Sequence, residues 1–179
     1  SNIKNIIFDF DGTLGDSFST VCDIGCEIAN EQGLHTNREE FGFIIRNMGV
    51  RELSKKFPIS KRELLSLMYK VKKRFVRKAK DIDIFDGIKE VLEELYKKGY
   101  TLGVISSNSK KSVEIVLERR EIREYFSFVE KTSLFGKDKT IERVMRNKGM
   151  KKSQTLYVGD EIRDLNACRS AGVEAVSVS

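Results

Sequence analysis

The chain has 179 residues and a net charge of +6, with 40% hydrophobic and 34% charged residues. That length accommodates one good core with a small satellite module, and the composition is that of a globular protein rather than a disordered one. No apolar run approaches the ~20 residues that cross a bilayer, so a membrane is not an expected partner.

At the N-terminus, Ser1-Asn2 without a Met reads as the remnant of a cleaved tag. The apolar Ile6-Ile7-Phe8 runs straight into acidic residues, unlike a signal peptide. The first strand is expected over Ile3–Phe10. The interval from about Phe18 to Asp83 then carries helical patterns only: Ser17–Asn30, Glu39–Met48 and Ser60–Lys80. In the last, Leu64, Met68, Val71, Phe75 and Ala79 recur at helical spacing. Pro58, the only proline, is expected to separate the second helix from the third. Some 65 residues are too many for a loop and predict a small all-helical subdomain.

An amphipathic helix follows over Gly87–Lys98, with Ile88, Val91, Leu92 and Leu95 on one face and Gly99 at its end. From there strands and helices alternate. Strands are expected over Tyr100–Ser106, Phe126–Glu130, Thr155–Gly159 and Val173–Val178, and helices over Lys110–Leu117, Lys139–Asn147 and Ile162–Ser170. This rhythm predicts an α/β fold, a doubly wound Rossmann-like parallel sheet with an inserted all-α cap subdomain. The expected division is a core of residues 1–16 and 84–179 and a helical insertion of residues 17–83.

The three cysteines, Cys22, Cys26 and Cys168, show no metal-ligand clustering and are expected as thiols in a reducing cytoplasm. The positive charge is concentrated in Lys70–Lys80. Two readings stay open for this helix, contact with an anionic substrate or RNA and a solvated outer face. No aromatic platform interleaves the cations, so nucleic acid is not the leading expectation for a partner.

In a parallel sheet, ligands gather at the carboxyl ends of the strands. Four features fall there. Phe8-Asp9-Phe10-Asp11-Gly12-Thr13 ends the first strand in two carboxylates two residues apart, a repulsive pair that a divalent ion with oxygen ligands relieves. Ser106-Ser107-Asn108 puts a hydroxyl at the end of the second strand, suited to a phosphoryl oxygen. Gly136-Lys137-Asp138-Lys139 opens a helix with lysine, against the helix dipole, which suggests an anionic partner. Gly159-Asp160-Glu161-Ile162-Arg163-Asp164 closes the fourth strand with more carboxylates, Asp160 and Asp164 one turn apart.

Together these motifs resemble the haloacid dehalogenase (HAD) superfamily, and within it the branch of phosphoglycolate phosphatases and β-phosphoglucomutases with a helical cap after the first strand. The resemblance implies a Mg²⁺-dependent phosphatase acting on a small phosphorylated metabolite, as a monomer or homodimer. It implies Asp9 as nucleophile and Asp11 as acid and base, with Mg²⁺ held by Asp9, the Asp11 carbonyl and Asp160. Ser106 and Lys137 would bind the phosphoryl oxygens; Lys139 is the alternative lysine, disfavoured because Lys137 leaves Ile141 and Val144 on the apolar face. Thr13, Ser107, Asn108, Glu161 and Asp164 would support the site. Met48-Gly49-Val50-Arg51 resembles the substrate-facing cap loop, which makes Arg51 a candidate substrate contact.

Asp11 argues against the carbon–halogen branch, whose members typically lack an aspartate there. A β-phosphoglucomutase is disfavoured because Ser19–Asp23 lacks the hinge histidine; the sole histidine, His35, is expected in an exposed loop. A non-catalytic binding module of the same fold is a third reading, weakened by the presence of both Asp9 and Asp11. The resemblance also implies a loop and a final helix after the fifth strand, so at Ser179 the chain is either short or lacking its tail.

Overall fold

The computed structural model describes residues 2–33, 35–47, 60–133 and 136–178. Two compact units emerge, one formed by Ser1–Ser17 with Ala79–Ser179 and the other by Phe18–Lys78.

The first unit is built on five parallel strands in the order β5-β4-β1-β6-β7. These are β1 (Asn5–Phe8), β4 (Thr101–Ser106), β5 (Phe126–Lys131), β6 (Thr155–Gly159) and β7 (Glu174–Ser177). β1, β4 and β6 read as short apolar segments because helices cover both faces of the sheet there, whereas β7, at the edge, is mostly exposed and is not the buried strand expected. Phe8 is level with Val104 on one side and Val158 on the other, so β1, β4 and β6 end at a common edge. After β1 the chain fills one flank of the sheet and then the other, which makes the end of β1 the topological switch point.

Ile7, Ile105, Phe128 and Tyr157 pack with Ile141, Val144 and Met145 of α6 (Lys137–Lys148) and with Cys168 and Ala171 of α7 (Ile162–Ala171). On the other face Phe8 meets Phe126 edge-on at 6.2 Å. Phe126 and Phe128 reach opposite faces despite being two residues apart. The register advances by two on β5 between Leu102 and Gly103, and the resulting bulge at Ser127 reverses the alternation. This unit also holds α4 (Ile88–Lys97) and α5 (Lys110–Arg119). Leu92 of α4 is buried as expected, but Val91 is 49% exposed.

A two-stranded antiparallel ribbon joins β2 (Gly15–Asp16) to β3 (Asp83–Ile84), where the chain leaves this unit and returns. Strands of two residues carry no readable alternation, so the sequence pattern does not announce them.

The second unit contains α1 (Phe18–Glu31), α2 (Arg38–Asn47) and α3 (Lys61–Lys78). Ile24 and Ile28 of α1 and Phe75 of α3 are buried. Along their edge Arg74 reaches Glu31 at 2.6 Å and Lys78 reaches Glu27 at 2.5 Å, while Arg38 joins Asp23 at 3.1 Å. His35 is exposed in the connection between α1 and α2. Pro58 lies outside the described residues. Among those described, no helix is long and apolar enough to cross a membrane.

Candidate active site

Four loops at the carboxyl edge of the sheet bring the acidic, hydroxyl and lysine side chains together. Asp9 follows β1 directly, and its N–H still donates to the Val158 carbonyl at 2.8 Å, so sheet pairing fixes its backbone. The chain then turns tightly, with the N–H groups of Leu14 and Gly15 both donating to the Phe10 carbonyl at 2.9 and 2.8 Å. Gly12 sits in this turn at φ +72°, where a Cβ would lie 2.2 Å from Asp160 Oδ2. Only glycine satisfies both the left-handed backbone and that approach. The Thr13 hydroxyl donates to Asp160 Oδ1 at 3.4 Å, tying the β1 loop to the β6 loop.

Lys137 opens α6, and its side chain is only 11% exposed. Its ammonium stands 3.0 Å from Asp9 Oδ2, forms a second bond to Asp164 Oδ1, and lies 5.6 Å from the centre of the Tyr157 ring. Lys139 is exposed. Ile141, Val144 and Met145 all point into the core, and the same periodicity carries Lys137 to the site edge. Asp164 is 1% exposed and accepts from the Glu161 N–H at 3.4 Å, so its position is set by the first turn of α7.

Asp11 faces another way. Asn108 Nδ2 donates to both of its carboxylate oxygens at 2.8 and 2.7 Å, and Ser106 Oγ lies 3.4 Å from Oδ2. The Asn108 N–H in turn donates to Ser106 Oγ at 3.1 Å. Ser107 is half-buried between these two. The sequence marks Asn108 only as a supporting residue, and its bidentate hold on Asp11 comes from the folded loop.

Carboxylate oxygens of Asp9, Asp160 and Asp164 all lie within 4.8 Å of one another. Three carboxylates against one ammonium leave an excess of negative charge, and an all-oxygen donor set suits a hard divalent cation. Asp164 thus stands in this cluster, whereas the Asp11 carboxylate does not. The electrostatics of the pocket follow. Burial pushes the Asp9 carboxyl up to about 7, with Lys137 opposing the rise and Asp164 adding to it. Burial also raises the Asp11 carboxyl, against the hydroxyls of Ser17 and Ser106. Burial works to lower Lys137, but Asp9 and Asp164 outweigh it and hold the ammonium above its ordinary range. Arg51 lies outside the described residues.

The sequence profile of the haloacid dehalogenase-like hydrolases matches residues 6–178. The chain belongs to that family. It is 31% identical over 178 residues to a protein named phosphoglycolate phosphatase from Synechococcus elongatus, covering 99% of this chain and 84% of that one. It is 22% identical to pyrophosphatase PpaX of Bacillus mycoides, over 99% of this chain and 84% of that protein. Among solved structures it superposes on a HAD-superfamily hydrolase, subfamily IA, from Geobacter sulfurreducens with a TM-score of 0.74 and 26% identity. That match covers 98% of this chain and 87% of the other. The five-stranded parallel sheet with covering helices is therefore the fold of this family, as expected from the alternation of strands and helices.

Proposed function

We propose that this HAD-family phosphatase is a Mg²⁺-dependent enzyme that hydrolyses small phosphate monoesters through an aspartyl-phosphate on Asp9. One observation carries the reading: a buried carboxylate, Asp9, is paired with the Lys137 ammonium and clusters with two further carboxylates, Asp160 and Asp164. A phosphoryl group and a divalent cation would complete that charge pattern. Phosphoglycolate is the leading substrate, because the relative at 31% identity bears that name.

In the first step a carboxylate oxygen of Asp9 attacks phosphorus, and the bond between phosphorus and the ester oxygen breaks. Asp11, with its carboxyl raised by burial, donates its proton to the departing alkoxide. Asp11, now a carboxylate held by Asn108, takes a proton from the water that attacks the phosphorus of the intermediate. The bond to Asp9 breaks and phosphate leaves. Lys137 and Ser106 bind phosphoryl oxygens as charge moves onto them. Asp9, Asp160 and the Asp11 carbonyl would hold Mg²⁺, with Asp164 as a supporting carboxylate that also anchors Lys137. When bound, the ion neutralises the negative charge that would repel an anionic substrate.

Residues 1–16 and 84–179 are proposed as the catalytic core and residues 17–83 as the cap, with Arg51 as a candidate substrate contact. The deciding experiment measures phosphate release from p-nitrophenyl phosphate with and without Mg²⁺, alongside acid-trapping of a covalent phosphoenzyme. Activity should require Mg²⁺ and vanish in Asp9→Asn. Full activity in that variant would end the mechanism. A panel of phosphorylated metabolites with phosphoglycolate and pyrophosphate included then identifies the substrate, and a mutase would consume sugar phosphate without releasing phosphate.

A further inference from the structure

The helix α3 carries eight basic residues and one acidic residue, more than the whole chain's net charge of +6, so the rest of the chain is nearly neutral. Folding divides these charges between two faces. Arg74 and Lys78 turn toward α1 and are paired there with Glu31 and Glu27. Phe75 points inward and is buried.

The opposite face remains open. Arg62, Ser66, Tyr69, Lys70, Lys73 and Arg77 are all exposed, Tyr69 by 67%. Their spacing of three and four residues sets them in one stripe along the helix. Among the described residues none of Arg62, Lys70, Lys73 and Arg77 lies within ion-pair distance of a carboxylate. The helix's own acid, Glu63, is folded back on the helix start. It accepts from the Ser60 N–H at 2.8 Å, and its N–H donates to Ser60 Oγ at 3.2 Å. Ser60 and Glu63 therefore form the capping box of α3.

We propose that this stripe is a docking surface for the phosphate backbone of single-stranded RNA. A row of cations one helical turn apart, without ion-pair partners among the described residues, matches a linear polyanion. A membrane-surface helix inserts its apolar residues, whereas Phe75 of α3 is already buried within its own unit. Tyr69 beside Lys70 and Lys73 offers a ring on which a base can stack. Such binding is sequence-tolerant and independent of the phosphatase site.

Fluorescence anisotropy of the full chain with a labelled 20-nucleotide mixed-sequence RNA tests the proposal. With four backbone contacts, a slope of about −0.7 per contact predicts that affinity falls roughly fiftyfold between 50 and 200 mM NaCl. Lys70→Glu with Lys73→Glu and Arg77→Glu should abolish binding, and the milder triple glutamine variant should weaken it and flatten the salt dependence. A control of equal charge change, Lys148→Glu with Lys151→Glu and Lys152→Glu, should bind as the parent does. No binding at 50 mM NaCl would overturn the proposal, as would equal loss in the control. Binding to phosphatidylserine vesicles without binding to RNA would overturn it in favour of a membrane surface.

Discussion

Lys137 stands 3.0 Å from the Asp9 carboxylate while bonding the buried Asp164, so one ammonium serves both the proposed nucleophile and a carboxylate in the first turn of α7. Its removal has two consequences. Lys137→Met should lower kcat by about 10²–10³, the usual cost of losing a donor to transition-state charge. It should also lower the melting temperature, because two buried carboxylates lose their counter-charge. Lys139→Met, at an exposed position, should change neither. Steady-state kinetics and thermal melts on the two variants decide between the lysines.

Asn108 grips both oxygens of Asp11, which should fix the carboxyl where a leaving oxygen and a water can be reached. Asp11→Asn should reduce kcat by about 10²–10⁴, the range for a positioned acid and base. Asn108→Ala should be milder, about tenfold, and should displace the pH profile of kcat because the Asp11 carboxylate loses two hydrogen bonds. An unchanged profile would show that Asn108 has no hold on the acid.

The Asp9 carboxyl is raised from 3.8 to about 7, so the folded chain binds a proton that the unfolded chain has released. By linkage its contribution to stability is present below about 4 and is lost as pH rises toward 7. In EDTA, the melting temperature of the parent relative to Asp9→Asn should therefore fall between pH 4 and 7. Mg²⁺ should raise the parent's melting temperature more at pH 8 than at pH 5.5, since protons and the cation compete for the same oxygens.

Gly12→Ala places a methyl group 2.2 Å from Asp160 Oδ2 at a φ of +72°. The backbone strain alone costs on the order of 1–2 kcal/mol, and relief of the clash must move Asp160. Activity should fall sharply, with Mg²⁺ affinity measured by calorimetry weakened in parallel. Intact Mg²⁺ binding in a folded Gly12→Ala variant would detach Asp160 from the metal site.

Much of this protein is legible in its sequence. Apolar runs such as Val104-Ile105-Ser106 and Leu156-Tyr157-Val158-Gly159 mark buried parallel strands because both faces of the sheet are covered, and the acids and hydroxyls after them mark the sheet edge where ligands gather. Helix periodicity also sets Lys137 beside Asp9 and leaves Lys139 exposed, since Ile141 and Val144 face the core. The paired strands Gly15–Asp16 and Asp83–Ile84 are not legible, being too short to alternate and joined across 66 intervening residues. Nor does spacing tell which carboxylates share a centre. Asp9 and Asp11 are neighbours in sequence, yet the tight turn at Phe10–Gly15 sends Asp11 toward Asn108 of the β4 loop. Asp9 instead meets Asp160 and Asp164 from β6 and α7. The turn and the strand order together decide that, because the order sets β4 on one side of β1 and β6 on the other.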